Sequence, residues 1–334
     1  MTRSPAVESL EPDVDLVAGV DIGGTNTAVG IVGAEGRLVS HSVFPTGGQG
    51  SAGQFVRRLA GTIRQMVSEL PPGVRLRGIG MAAPAANWRT GIVESPANLK
   101  WGDVNLAAMV REEFQLPVTL TNDAHAALLG EMAYGMARGL SNVVMLTLGT
   151  GLGAGIAVAG SLVHGENGAA GEFGHMTMEL DGRQCGCGRQ GCAETYVSAT
   201  GLRRTVFELL AGRLEETELR HVSFSSLTAE KVSALALNGD VLATAALEVT
   251  GRYLGRLMAN IASAFDPEAF ILGGGLVFAG DLLVEPARRA FLDHALKRYT
   301  TTVRILVSPS NEGQMAILGA SRFAWQTGVP AEAS

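Results

Sequence analysis

Four potential metal ligands lie close together in the middle of the chain. All three cysteines fall within eight positions, and a histidine lies ten residues before the first of them: His175, Cys185, Cys187 and Cys192. We call these four residues the Cys/His cluster. Thiolates and imidazoles are ligands of Zn²⁺, and four of them complete the closed tetrahedral shell of a structural site. The spacing therefore predicts one bound zinc ion.

Two acidic residues flank the Cys/His cluster. Glu172 lies three residues before His175, and Glu194 lies two residues after Cys192. A metal bound by the cluster would fix the positions of both carboxylates, because ligands and acids share one short stretch of chain. We therefore interpret the cluster as a scaffold for a site.

Three glycine-rich turns, each after a predicted strand, are candidate phosphate-binding loops. They are Asp21-Ile22-Gly23-Gly24-Thr25, Gly149-Thr150-Gly151 and Gly273-Gly274-Gly275. Backbone amides in such turns can approach phosphate oxygens without obstruction by side chains. One glycine turn is more often an ordinary hairpin turn, but three at strand ends favour an anion site. We expect backbone dipoles and a divalent cation to hold the anion, with Asp21 as an outer anchor for Mg²⁺.

Asn122 and Asp123 stand where a predicted strand meets a helix. Asn and Asp are favoured helix N-caps, and capping alone would account for the pair. The alternative is a general base, a carboxylate that takes a proton from a substrate hydroxyl. Both roles can coexist, with Asn122 bound to substrate while Asp123 acts. His125 follows closely, but a histidine in an alanine-rich helix is more often a packing residue, and we assign it no function.

The order of predicted elements indicates an α/β protein with an internal repeat. A strand, a glycine turn and a second strand occupy residues 17–32, and the same pattern returns at residues 147–158. This recurrence predicts two related α/β lobes that face one another. Apolar spacing predicts further strands at 38–44, 76–81, 118–120 and 269–272, and helices at 54–69, 124–134, 193–214, 228–238, 241–265 and 313–325.

Composition and motifs exclude several classes of protein. The 334-residue chain has a net charge of −6 and no basic run longer than two residues, which disfavours nucleic-acid binding. It contains neither a P-loop motif nor a dinucleotide-binding glycine fingerprint. Three clustered cysteines make a disulfide framework implausible and favour the reducing cytoplasm. The first fifteen residues lack the apolar segment of a signal peptide, and the uncharged stretch 141–165 has six glycines, which favours a buried hairpin over a membrane span.

Together these motifs resemble the ROK family of sugar kinases and repressors. The resemblance runs from about residue 17 to 325, and its most specific part is 171–175 followed by 185–194, which looks like the family's zinc motif. It implies a two-lobed actin/hexokinase-like (ribonuclease H-like) ATPase fold with a cleft between the lobes. We expect a tail at 1–16, a small lobe formed by 17–135 and 311–327, and a larger lobe at 136–310 with the zinc site.

The resemblance also implies roles for individual residues. Asp123 is the expected base, and the first two glycine turns are the expected phosphate loops of ATP, with 273–275 on the adenosine side. The sugar hydroxyls would be bound by Asn98, Asn122, Asp123, Glu172, His175 and Glu194. Carboxylates and amides suit this task because they pair selectively with hydroxyl groups.

The chain departs from the family pattern at two places in the sugar-side loop. Pro84 is followed by Ala85 where the family usually has glycine, and one extra residue separates Pro96 from Asn98-Leu99. The second departure makes Asn98 a less secure ligand than Asn122.

The sequence therefore predicts a kinase that transfers phosphate from ATP to a hexose, with glucose as the first candidate because 194–201 looks closest to bacterial glucokinases. The alternatives are a kinase for fructose, N-acetylmannosamine, N-acetylglucosamine or allose, and a sugar-sensing repressor. A repressor needs a helix-turn-helix ahead of the first strand, where only about sixteen residues stand. A zinc-finger interaction module would leave Asp21, Asp123 and the glycine turns unexplained. The resemblance implies a homodimer.

Overall fold

A computed structural model describes residues 14–47, 50–96, 99–309 and 312–327. Their contacts divide the chain into two compact units. Unit 1 takes the described residues of Met1–Gly139, Leu162–Ala170 and Gly313–Ser334, and unit 2 takes Leu140–Ser161 and Gly171–Glu312. Residues 162–170 therefore belong to unit 1, whereas the sequence placed them in the larger lobe at 136–310. The reason is that His164 packs against Trp88, His125 and Phe323 of unit 1.

Unit 1 is built on a five-stranded mixed sheet. Its strands are β1 (Asp15–Ile22), β2 (Asn26–Gly33), β3 (Leu38–Pro45), β4 (Arg75–Ala82) and β7 (Val118–Thr121), in the order β3-β2-β1-β4-β7. β1, β2 and β3 pair antiparallel, whereas β1, β4 and β7 pair parallel. Two short strands, β5 (Ala86–Asn87) and β6 (Ile92–Val93), form a separate ribbon. The carboxyl ends of β1, β4 and β7 therefore meet at one edge of the sheet.

The helices of unit 1 follow the expected apolar spacing. They are α1 (Ala52–Ser68), α2 (Leu106–Phe114), α3 (Asp123–Tyr134) and α9 (Glu312–Thr327). α1 begins with a capping box between Ser51 and Gln54 and buries Phe55, Leu59 and Ile63 in the core. α2 was not among the predicted elements, because its nine residues are too few for a clear periodic pattern.

Glycines allow α9 to lie very close to its neighbours in unit 1. A Cβ added at Gly319 would overlap the carbonyl oxygen of Ala126 in α3, and one at Gly80 would overlap that of Ala320. The backbones thus approach to distances that any larger residue would prevent. This close packing holds α3, and with it Asp123, against α9.

Unit 2 repeats the sheet plan of unit 1. Its strands are β8 (Val143–Leu148), β9 (Leu152–Val158), β10 (Ser161–Leu162), β11 (Ala269–Gly273) and β12 (Arg304–Val307), in the order β10-β9-β8-β11-β12. β8 and β9 form an antiparallel hairpin, and β8, β11 and β12 pair parallel. The predicted repeat of the strand–turn–strand pattern is confirmed as a repeat of topology.

The helices of unit 2 are α4 (Ala199–Gly212), α5 (Ala229–Leu237), α6 (Val241–Phe265), α7 (Asp281–His294) and α8 (Tyr299–Thr302), and α6 packs against α4, α5 and α7. The helix predicted at 193–214 is wrong in its first turn, where Ala193–Thr195 is a short 3₁₀ helix. Ser198 is extended and caps α4 by accepting a hydrogen bond from Gly201 N, so the α-helix begins only at Ala199.

Among the described residues, no single helix is both long and apolar enough to cross a membrane. One pair, Ala229–Leu237 with Val241–Phe265, meets the requirement together by length and composition alone and is bent by 119°.

Candidate functional site

The first glycine turn joins β1 to β2 in unit 1. Gly23 N donates to Asn26 O at 3.0 Å, and the buried Thr46 hydroxyl donates to Gly23 O at 2.7 Å. Asp21 occupies the carboxyl end of β1, and a Cβ at Gly313, in the first turn of α9, would lie 3.4 Å from its Oδ2. The Asp21 carboxylate therefore lies at the N-terminus of a helix, where the helix dipole favours negative charge.

The second and third glycine turns lie together in unit 2. Gly149 N donates to Gly151 O at 3.1 Å, and Ala199 N, at the start of α4, donates to Gly149 O at 2.9 Å. Gly274 has a φ of +93°, and a Cβ there would lie 2.6 Å from Leu148 O. Since Leu148 ends β8 and Gly273 ends its parallel neighbour β11, both turns stand at the carboxyl ends of adjacent strands. This is the edge at which open α/β sheets bind ligands.

Asn122 and Asp123 begin α3 directly after β7. The Asn122 side chain caps the helix, with Oδ1 accepting from Ala124 N at 2.9 Å. Asp123 Oδ1 accepts from the same amide at 2.7 Å. The capping interpretation is therefore confirmed for Asn122. It does not exclude a second role, because capping uses Oδ1 and leaves the Nδ2 amide group as a donor.

The environment of Asp123 favours its neutral form. Burial raises the pKa of the carboxyl group above its ordinary value of 3.8, against the backbone hydrogen bond from Ala124 and the nearby His125, which lower it. The carboxylate is enclosed by protein atoms, while part of the residue still reaches solvent. A carboxylate that is hard to keep charged takes up a proton readily, which is the property a general base needs.

His125 is a buried packing residue, as the sequence indicates, but its contacts are specific. It is 2% exposed, and its Nε2 lies 3.0 Å from Ala170 O. Burial lowers the pKa of His125, so the ring is neutral near pH 7 and Nε2 can donate to the carbonyl group. The bond ties α3 to residues 162–170, two positions before Glu172.

The ring of His164 packs against the ring of His125. The two rings meet edge to face with centroids 5.5 Å apart, and His164 stacks on Trp88 at 4.4 Å. Burial, followed by the charge of His125, lowers the pKa of His164 to about 4. Trp88, His125 and His164 are far apart in the chain, so no local sequence pattern predicts that their rings meet.

The Cys/His cluster has the geometry of a zinc site. The four ligand atoms lie within 4.8 Å of one another. Cys185 Sγ is 3.7 Å from His175 Nδ1, and Cys187 Sγ is 3.7 Å from Cys192 Sγ. Ligands at about 2.3 Å from a tetrahedral Zn²⁺ are separated by about 3.8 Å, so the donor set fits this metal.

The thiols of the cluster differ in their surroundings. Cys185 and Cys192 are buried and Cys187 is exposed. Hydrogen bonds from the backbone and side chain of Arg189 lower the pKa of Cys187 to about 6, whereas burial raises the pKa of Cys192 to about 12. Cys192 is therefore protonated without a metal, and metal binding would displace that proton.

Arg183 stabilises the loop that carries the cysteines. Its guanidinium group donates to Thr195 O at 2.6 Å and to Glu208 of α4, and it stacks over the ring of Tyr196 at 4.4 Å. The side chain is 11% exposed. A single arginine in a polar loop gives no sequence signal, and sequence analysis missed it.

Glu172 and Glu194, the acidic residues that flank the Cys/His cluster, have different surroundings within unit 2. Glu194 Oε2 accepts from Leu152 N at 3.0 Å, which places it beside the second glycine turn. Glu172 is exposed, and its Oε2 lies 3.9 Å from His175 Nε2. His175 thus presents Nδ1 to the cysteines and Nε2 to the carboxylate.

Of the two departures from the family pattern, the structure describes the one at Ala85 but not the one at Asn98. Ala85 has a φ of +53°, in the left-handed region that favours glycine, which explains why glycine is usual there. Asn98 lies outside the described residues, and its expected role stays a prediction.

Comparison with known proteins gives consistent matches over nearly the whole chain. The family model described as the ROK family matches residues 17–327. A glucokinase of Halalkalibacterium halodurans is 37% identical over 284 residues, 84% of this chain and 86% of that protein. A glucokinase of Thermotoga maritima is 33% identical over 323 residues, 93% and 97% of the two chains. The crystal structure of a ROK family glucokinase from Streptomyces griseus, in complex with glucose and AMPPNP, matches with a TM-score of 0.78 and 32% identity, covering 93% of this chain and 99% of that one.

Proposed function

Because this chain belongs to the ROK family, we propose that it is a glucokinase, which transfers the γ-phosphate of ATP to D-glucose and forms glucose 6-phosphate. The observation that carries the chemistry is Asp123, a carboxylate of raised pKa at the start of α3 and at the carboxyl end of β7. The choice of glucose rests on the relatives that are named glucokinase.

Asp123 is the general base of this proposal. It accepts the proton of the terminal sugar hydroxyl as the hydroxyl oxygen attacks the γ-phosphorus of ATP. The Ala124 N–H bond to Oδ1 holds the carboxylate in one orientation. Asn122 donates from Nδ2 to a sugar oxygen while its Oδ1 remains in the helix cap.

The phosphates of ATP are assigned to the glycine turns, through their backbone amides. Gly23, Gly24 and Thr25 belong to the first turn, Gly149, Thr150 and Gly151 to the second, and Gly273, Gly274 and Gly275 face the adenosine side. Asp21 is the proposed anchor for Mg²⁺, through the water shell of the ion. When bound, Mg²⁺ supplies positive charge that neutralises the transferring phosphoryl group.

The remaining sugar contacts are assigned to Asn98, Glu172, His175 and Glu194. Glu194 retains one carboxylate oxygen, Oε1, for a hydroxyl while Oε2 holds Leu152 N. His175, Cys185, Cys187 and Cys192 would hold Zn²⁺, which supplies a rigid closed shell and no open coordination position for chemistry. Three free thiols suit the cytoplasm, and we propose a homodimer, which light scattering of the purified protein would test.

The test is a coupled assay of ADP release with a panel of hexoses and N-acetylhexosamines, and with ATP, GTP and polyphosphate as donors. We expect glucose and ATP to give the highest kcat/KM. A higher kcat/KM for fructose, allose or an N-acetylhexosamine would replace glucose as the substrate. Absence of ADP release with every sugar would contradict the kinase assignment itself.

A further inference from the structure

We propose that unit 1 contains a second binding site, for a small metabolite that carries a phosphate or carboxylate group. The site is a cavity of about 300 Å³ between α2, β7 and the end of α9, and none of the described residues assigned to sugar or ATP lines it. We call it the α2–α9 pocket. Its volume is at the lower end of the range for small-molecule sites.

The charge of the α2–α9 pocket favours an anion. Arg89 and Arg111 line it, and none of the described residues lining it is acidic. Arginine presents a planar fork of N–H donors that matches phosphate and carboxylate groups.

Both arginines have capacity for a ligand. Arg111 donates to Val118 O at 3.2 Å and makes no ion pair within the described part of the chain. Arg89 pairs with Glu166 at 3.0 Å, but the two side chains are 53% and 83% exposed. Such exposed pairs contribute little free energy and exchange partners readily.

Two polar atoms of the pocket residues have no hydrogen-bond partner in the part of the chain that the structure describes. Trp88 Nε1 and Thr119 Oγ1 are both shielded from solvent, and neither makes a bond within the described residues. Leaving a buried donor unsatisfied costs about 1–3 kcal/mol, so such groups need an explanation. A ligand in the pocket would place its carbon skeleton against the rings of Trp88 and Phe323, which also line the cavity.

Ring contacts connect the pocket wall to His125 of helix α3. The guanidinium carbon of Arg89 lies 5.5 Å from the centroid of the Trp88 ring. Trp88 also stacks on His164, and the ring of His164 contacts that of His125. Because Trp88 lines the pocket, its fluorescence should change when a ligand binds there.

The test is a tryptophan-fluorescence titration of the whole protein at constant ionic strength. Glucose and a non-hydrolysable ATP analogue are kept at saturation, so that the proposed kinase site is filled. The probes are inorganic phosphate, glucose 6-phosphate and citrate. We expect saturable binding of at least one probe, and the comparison of phosphates with citrate distinguishes the two kinds of anion.

Variants assign the binding to the pocket. Arg111→Met should weaken the probe about tenfold or more, since it removes a charge-assisted hydrogen bond, and Thr119→Val should weaken it less. Arg64→Met is the matched control, because Arg64 is an exposed arginine that contacts α2 without lining the pocket. The melting temperature without probe separates loss of binding from loss of folding.

Two results would overturn the proposal: no saturable signal with any of the three probes, or a dissociation constant that neither Arg111→Met nor Thr119→Val changes. Neither result bears on the kinase assignment, which ADP release tests separately.

Discussion

Cys192 is the most enclosed ligand of the proposed zinc site, because it is completely buried whereas Cys187 is exposed. We predict about one zinc per chain in the purified protein, measured by mass spectrometry of metals. Cys192→Ala should lose the zinc and about 2 kcal/mol or more of unfolding free energy, since metal binding contributes directly to folding.

Val197→Ala is the matched control for this prediction. Val197 is also completely buried and lies five positions further along the chain, but it offers no ligand. It should lower stability through a cavity and keep the zinc. A metal-free protein with unchanged stability and activity would contradict the scaffold role of the cluster.

Asp123 provides a second prediction for a single residue. Its pKa is raised in the folded protein, so its contribution to stability is complete below the ordinary pKa of 3.8 and is lost as pH rises through the folded value. The neutral amide of Asp123→Asn escapes this loss and can still accept from Ala124. We expect its melting temperature at pH 7 to equal or exceed that of the parent, with a difference that narrows toward pH 4. A clearly lower melting temperature would contradict this account.

The site residues that could be predicted from the sequence are those that are neighbours in the chain. The Cys/His cluster, the glycine turns and Asn122-Asp123 each form a local pattern with its own chemistry. Glu194 beside Leu152 and His125 beside Ala170 could not be predicted, since these pairs are 42 and 45 residues apart and only the folded backbone joins them.

Close packing against α9 should fix the position of α3, the helix that begins with Asp123. Gly319→Ala places a Cβ into the backbone of α3, and we expect it to cost about 1–3 kcal/mol or more in urea unfolding. Gly61→Ala is the matched control: it lies within α1 with no atom near the added Cβ, and it should stabilise by up to about 1 kcal/mol. Equal effects of the two changes would show that α9 does not lie as described.

The segment 162–170 should make stability sensitive to acid. The pKa of His164 is about 4 in the folded protein against an ordinary value of 6.5, so the unfolded chain binds more protons between these values. Stability is therefore complete above pH 6.5 and falls as pH decreases toward 4. His125, whose pKa is also lowered, acts in the same direction.

His164→Gln should flatten this dependence in urea-unfolding midpoints measured from pH 7 to 4.5. His41→Gln, at an exposed position of β3, is the control and should leave the profile unchanged. If both variants show the same pH dependence of the urea midpoint as the parent protein, His164 is not buried in the folded protein.

The strongly periodic helix α1 was predicted correctly, and α3 was predicted from its alanine-rich sequence after Asn122-Asp123, whereas α2, α7 and β12 were not predicted. The start of α4 was predicted too early because apolar spacing continues through residues 193–198. The 3₁₀ helix that follows Cys192 and the cap at Ser198 delay the start of the α-helix to Ala199. Hydrophobic periodicity does not reveal either feature.

The whole molecule repeats one plan, since each unit has an antiparallel hairpin continued by two parallel strands. The repeat places a glycine turn at the end of the first strand of each hairpin, after β1 and after β8. Sequence analysis could predict this duplication because both turns keep the same arrangement of small residues. It could not predict that residues 162–170 belong with unit 1, because that depends on ring packing between distant parts of the chain.

A glucose kinase whose base is Asp123 should lose glucose-dependent turnover when that carboxylate is removed. The most direct measurement is glucose-dependent ADP release by the parent protein and by Asp123→Asn, together with glucose binding by calorimetry. We predict turnover by the parent, a kcat about 100-fold to 10,000-fold lower in the variant, and glucose affinity that changes little. Near-normal turnover by Asp123→Asn would show that Asp123 is not the base, and absence of glucose-dependent ADP release by the parent would show that the protein is not a glucose kinase.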